Sequence, residues 1–205
     1  QLSSIVGGIY NTSSTDCSFI GGGESNSISG TYTENVVIGG GCCNTVSTYS
    51  DMSTIGGGNS NSVYSSIYST IAGGCCNTIS ATYGCSTIGG GSSNRIAGGY
   101  AATIAGGTLN TSSGDRSFIG GGCCNRAYGD SSAIAGGKLN ITTAAASFAS
   151  IGGGWFNCVT GAGSAVAGGN SNKTRGDYSI IGGGLSNQTC LNVSFVGGGQ
   201  SNLAN

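Results

Sequence analysis

Hydrophobic and polar positions along this chain follow one frame, Ile/Val-x-Gly-Gly-x-x-Asn, repeated thirteen times between Ile5 and Asn202. The aliphatic anchors are Ile5, Ile20, Ile38, Ile55, Ile71, Ile88, Ile104, Ile119, Ile134, Ile151, Val166, Ile181 and Val196, spaced 15 to 18 residues apart. A period of that length marks a stacked repeat, in which each unit buries its apolar face only against its neighbours. The residue two before the anchor is serine in ten of the thirteen copies. Side chains alternate across a strand, so serine and anchor share the inner face while the residue between them points outward. Each copy therefore offers one short strand. The glycines that follow let the chain turn, or pass close to another backbone where a β-carbon would obstruct. Residues 1–205 read as a single all-β domain, a parallel β-solenoid of about 13 rungs.

Asparagine stands six residues after every anchor, and its regularity predicts a stacked amide ladder. The ladder residues are Asn26, Asn44, Asn61, Asn77, Asn94, Asn110, Asn125, Asn140, Asn157, Asn172 and Asn187, flanked by Asn11 and Asn202. With rungs about 4.8 Å apart, one amide N–H reaches a carbonyl of the next rung and satisfies polar groups at a buried corner. The alternative is a solvent-facing turn asparagine in the left-handed conformation. Length varies between the asparagine and the next serine, which marks that segment as the outer loop.

Composition narrows the class. The chain has 43 glycines, no proline, no histidine and 13 charged residues, with a net charge of −1. Collagen needs glycine at every third position and abundant proline, and disordered chains are far more charged. Six dispersed basic residues leave no electrostatic footprint for nucleic acid. No apolar run is long enough for a membrane span, so membrane insertion is not expected. Ten cysteines without histidine or a Cys-x-x-Cys spacing point to an oxidising compartment, outside the cell or on a cell or virion surface. An interior of Ile, Ser and Gly buries little apolar area per residue, which favours lateral association, most simply as a trimer. The chain begins at a rung and stops just after the last frame asparagine, so head-to-tail stacking or a longer parent protein is expected.

Segments such as Gly129-Asp130-Ser131-Ser132-Ala133-Ile134-Ala135-Gly136 and Gly176-Asp177-Tyr178-Ser179-Ile180-Ile181-Gly182 resemble the head repeats of trimeric autotransporter adhesins, the YadA-like heads. The resemblance covers nearly the whole chain. It implies a left-handed β-roll, a homotrimer, a surface-exposed rod without enzymatic activity, and binding to a cell-surface or matrix ligand. A viral fibre or an extracellular filament fits the same pattern.

Candidate chemistry is sparse. Cys42-Cys43, Cys75-Cys76 and Cys123-Cys124 occupy the fourth and fifth positions after their anchors. Two rungs, about 9.6 Å, separate the first two pairs, beyond the roughly 7 Å Cα separation a disulfide spans. Bridges within each pair, bridges to another chain, and free thiols all stay open. Cys17, Cys85, Cys158 and Cys190 are candidates for interchain links. Asp115 and Asp130 share a phase on adjacent copies, as a weak metal site or as solvated turn residues; calcium takes about six to eight oxygens. Arg175-Gly176-Asp177 spells a tripeptide that many integrin ligands display, and its structural reading is a Gly-Asp turn repeated at the same phase. Among six glycosylation sequons, Asn192 is the one off the ladder. Thr54, Thr70, Thr87 and Thr103 form an outward rank that could match an ice lattice or simply pack across rungs. Without histidine, thiol catalysis is disfavoured, and no cofactor is expected. The expectation is a structural or adhesive module of a fibre or filament, with an ice-binding solenoid as the alternative.

Overall fold

The computed structural model describes residues 2–82 and 84–205. The chain is all-β and forms a parallel β-solenoid of about 13 rungs. It comprises two compact units, residues 1–106 and 107–205.

In the first unit the anchor strands run from Ser4–Ile5 to Thr103–Ile104. They pair in parallel register, Ile5 to Ile20, Ile38, Ile55, Ile71, Ile88 and Ile104 in turn. In the second unit Ile119, Ile134, Ile151, Val166, Ile181 and Val196 pair in the same way. The frame serines face inward with them: Ser53, Ser69, Ser86, Ser164 and Ser179 are fully buried.

One strand per copy is too few. A second strand starts immediately after each frame asparagine, as in Ser27–Ser29, Ser62–Tyr64 and Lys173–Thr174, and forms its own parallel ladder within each unit. Its inner position, eight after the anchor, is Ser13 on the first rung and then Ile28, Val46, Val63, Ile79 and Ile96 in the first unit, the last five buried. The corresponding row of the second unit is mainly polar, with Ser112, Ala127, Thr142, Val159, Thr174 and Thr189. Some of these hydroxyls meet the serine row across the coil. Ser112 and Ser117 share a short hydrogen bond, and Ser132 Oγ lies 2.8 Å from Thr142 Oγ1.

Thr174 and Thr189 bury hydroxyl oxygens that have no hydrogen-bond partner. Unpaired buried polar groups cost roughly 1–3 kcal/mol, and valine already fills this inner position at Val46, Val63 and Val159. Thr174→Val is therefore expected to stabilise the fold by about 1 kcal/mol or more, read as a higher denaturation midpoint with unchanged circular dichroism.

The corners between strands depend on left-handed residues that are not glycine. The residue just before each frame asparagine has φ between 55° and 61°, whether it is Tyr10, Cys43, Ser60, Leu109 or Phe156. A second left-handed corner lies three residues before the anchor, at Met52, Tyr68, Arg116, Tyr178 and Val193 among others. Strand amides donate forward, as in Gly39 N–H to the Ile55 carbonyl at 2.9 Å. A positive φ reverses the amide, so Cys43 N–H donates backward to Glu24 and Tyr178 N–H donates backward to Ala162, at 2.9 and 2.8 Å. Such corners are held from both sides. A left-handed L-residue costs roughly 1–2 kcal/mol, and these backward hydrogen bonds offset that cost.

Candidate functional site

The frame asparagines are the most densely bonded side chains of each unit. Asn26 through Asn94 and Asn110 through Asn187 are fully buried along the ladder. Asn44 shows the pattern: its Nδ2 donates to the Gly40 carbonyl of its own rung at 3.0 Å and to the Gly58 carbonyl of the next at 2.9 Å. Its Oδ1 accepts the Asn61 backbone N–H at 3.0 Å. Asn125, Asn140, Asn157, Asn172 and Asn187 repeat the arrangement in the second unit. The left-handed residue at this corner is the one before the asparagine, so the asparagine itself is not the solvent-facing turn residue. The serines form a second spine that the sequence did not announce. Ser69 N–H donates to Ser53 Oγ at 3.2 Å, and Ser179 N–H to Ser164 Oγ at 2.9 Å.

The vicinal cysteines sit at the asparagine corner, Cys43 and Cys76 exposed and the other four of the pairs half-buried. The Sγ–Sγ separations are 3.0 Å for Cys42 and Cys43, 2.8 Å for Cys75 and Cys76, and 2.9 Å for Cys123 and Cys124. The hydrogen bond to the neighbouring thiol, with some help from burial, raises Cys42, Cys75 and Cys124 above the ordinary thiol range. Glu24 pushes Cys42 further up, whereas Lys138 and Arg126 oppose the rise at Cys124. Cys158 is half-buried on the second face, and its burial raises it against the pull of Lys173 and Arg175.

Asp115 and Asp130 do meet on adjacent rungs, through the backbone: Asp130 Oδ1 accepts the Asp115 N–H at 2.9 Å. The same cap recurs where Asp51 accepts Glu34 N–H at 3.1 Å and Asp177 accepts Ala162 N–H at 2.8 Å. Asp51, Asp130 and Asp177 thus act as corner caps. No group of three or more His, Cys, Asp or Glu side chains capable of holding a metal occurs among the described residues.

Arg175, Gly176 and Asp177 lie in the outer loop, with Arg175 exposed, Gly176 buried and Asp177 between the two. Arg175 donates to Gln188 Oε1, Asp177 caps Ala162, and the Asp177 N–H donates to Asn192 Oδ1 at 2.8 Å. Asn192 is exposed, while the sequon asparagines Asn110, Asn140, Asn172 and Asn187 are fully buried. Thr54, Thr70, Thr87 and Thr103 stand in direct register on successive rungs of the first unit. A second threonine rank beside them is missing, because the residue just before each threonine (Ser53, Ser69, Ser86 and Ala102) alternates into the core and the outward neighbours two positions on are Gly56, Ala72, Gly89 and Ala105.

At the corresponding outward position of the second unit the rank is mainly apolar: Phe118, Ala133, Ala165, Ile180 and Phe195, with Ser150 the one polar member. Phe118 is 42%, Ile180 46% and Phe195 69% exposed. The residues between them are small, so the two larger side chains Phe118 and Ile180 bracket a shallow trough floored by Ala133, Ala135, Ala165 and Ala167. No protein family and no curated protein matches this chain by sequence comparison.

Proposed function

We propose that this chain is a non-enzymatic structural or adhesive module of an extracellular, cell-surface or virion-surface fibre, working through self-association. The observation that supports this most is the mainly apolar, partly exposed rank from Phe118 to Phe195 on one sheet face of the second unit. Contiguous exposed apolar surface of that kind marks an interaction surface, and a second copy presents the same face. The recurring polar side chains are engaged in stacking: asparagine, serine and aspartate each bind the backbone of a neighbouring rung. The resemblance to adhesin heads adds the trimeric, left-handed form and a cell-surface or matrix ligand, met by outer-loop residues such as Tyr49, Tyr128, Arg175 and Asp177. A head-to-tail filament is the other assembly in keeping with this reading, and neither nucleic acid nor membrane insertion enters it.

The test is the native mass by light scattering after size exclusion, with and without reductant. A mass of about three chains that persists in reductant and falls in Ile180→Asp is expected. A larger, reductant-sensitive species points to a disulfide-linked filament instead. A monomer under all conditions overturns self-association and favours the second reading, an ice-binding face built on the registered rank of Thr54, Thr70, Thr87 and Thr103.

A further inference from the structure

We propose that Cys42-Cys43, Cys75-Cys76 and Cys123-Cys124 are three equivalent modification sites, each closing to a vicinal disulfide inside one rung corner by exchange with a small-molecule disulfide. The inference is independent of the proposed function, because it concerns the corner and not the assembly.

Three observations carry it. The first is separation. The sulfurs of each pair lie 2.8 to 3.0 Å apart, closer than non-bonded sulfurs pack and about 1 Å from the bonded length of roughly 2.05 Å. The second is isolation from other pairs. Along the stack Cys42 neighbours Asn59, and Asn59 neighbours Cys75. A full rung therefore intervenes, and Cα atoms about 9.6 Å apart exceed the roughly 7 Å that a disulfide spans. Cys123 stands between Thr108 and Lys138. The third is pairing in the sequence. Every cysteine at the fourth position after an anchor is followed by a cysteine at the fifth, whereas six other corners carry serine there, as at Ser25, Ser60 and Ser171. Two thiols are placed together or the corner has none.

The local backbone accounts for the proximity. Cys43, Cys76 and Cys124 are the left-handed residues of their corners, with φ of 59°, 59° and 61°. Cys43 N–H is held by Glu24 and Cys76 N–H by Asn59, each at 2.9 Å. Cys124 N–H is held by Thr108 at the same distance. Fixed backbone on both sides of the peptide leaves the two side chains facing each other at the exposed edge. Closure proceeds in two exchanges. One thiolate attacks the small disulfide, forming a mixed disulfide and releasing one small thiolate; the neighbouring thiolate then displaces the second. Two protein thiols and one disulfide become one vicinal disulfide and two small thiols. The ring ties the left-handed residue to the strand before it and makes no link to another rung or chain.

The experiment treats the purified full chain with excess oxidised glutathione, alkylates without reductant, and maps the cysteines by proteolysis and mass spectrometry. The expected result is loss of two hydrogens at each pair, no alkyl group and no glutathione on those six cysteines, and each bridge within one peptide. Glutathione retained on the pairs, alkylation of them, or bridges joining different rungs or different chains would overturn the proposal. A Cys43→Ser variant, which places at this corner the residue already present at Ser25 and Ser60, controls for burial. In it Cys42 is expected to carry glutathione or the alkyl group. If Cys42 takes up neither, shielding and not a bond explains the protection, and the proposal fails.

Discussion

Asn61→Ala is expected to destabilise the first unit by roughly 3–5 kcal/mol, a loss that few single substitutions of a surface turn approach. Asn61 Nδ2 donates to the Gly57 carbonyl at 3.0 Å, to the Gly74 carbonyl at 2.9 Å and to Asn44 Oδ1 at 3.2 Å. Its Oδ1 accepts the Asn77 N–H at 3.0 Å. Alanine removes all four bonds. The Gly74 carbonyl keeps the Asn59 N–H at 2.9 Å, but the Asn77 N–H and the Gly57 carbonyl lose these partners where water cannot easily replace them. Each costs about 1–3 kcal/mol, and the small cavity adds to it. The damage is directional, because stacked repeats couple to nearest neighbours. Amide exchange should accelerate first at Asn77 and around the Gly57 turn, ahead of global melting. Unchanged exchange at Asn77 together with an unchanged melting temperature would show that the asparagine ladder is decorative.

The second large effect separates two adjacent glycines. Gly74 has φ of +92°, and a β-carbon there would lie 2.2 Å from the Gly91 carbonyl oxygen and 2.7 Å from Asn77 Nδ2. Neither neighbour can yield: one is the backbone of the next rung and the other the ladder itself. Gly74→Ala is expected to cost more than about 4 kcal/mol, through the left-handed penalty, the clash and the displaced ladder together. A β-carbon on Gly73 would meet nothing within 4 Å, and its φ is outside the left-handed region. Gly73→Ala is therefore expected to be neutral or to stabilise by about 0.4–1 kcal/mol through the unfolded chain. Melting curves of the two variants compared side by side decide it, and equal effects would refute the assignment of separate roles to the two glycines.

Sequence reasoning reached the solenoid because anchor, glycines and asparagine recur at fixed offsets, and every one of these residues has a task that a neighbour cannot share. The second strand escaped it. Two or three residues are too few to show alternation, and the inner position changes from Ile79 and Ile96 to Ser112, Thr142 and Thr174, which blurs its apolar signal. The left-handed corners were invisible for another reason. Leu139 and Phe156 have no turn preference of their own, and their φ is held by hydrogen bonds to neighbouring rungs, the N–H of each donating backward to Cys123 and Lys138. The aspartates at Asp51, Asp130 and Asp177 could have been read as caps, since Asp favours turns and accepts backbone N–H groups. Their recurrence four residues before the anchor is the signal. The apolar trough was likewise hidden, because Phe118 and Ile180 are 62 positions apart in the chain, counted from their residue numbers, and meet the same face only through register.

Within each unit a rung hydrogen-bonds its neighbours in one repeated way, so one joint there resembles the next. Removing residues 119–133 would join Phe118 to Ile134 and leave the frame unbroken. Genes encoding such a chain can lose or duplicate whole repeats by slippage or unequal recombination and still specify a stackable product. Length is then a heritable variable that selection can adjust in steps of one turn, with the corner residues free to diversify at each step.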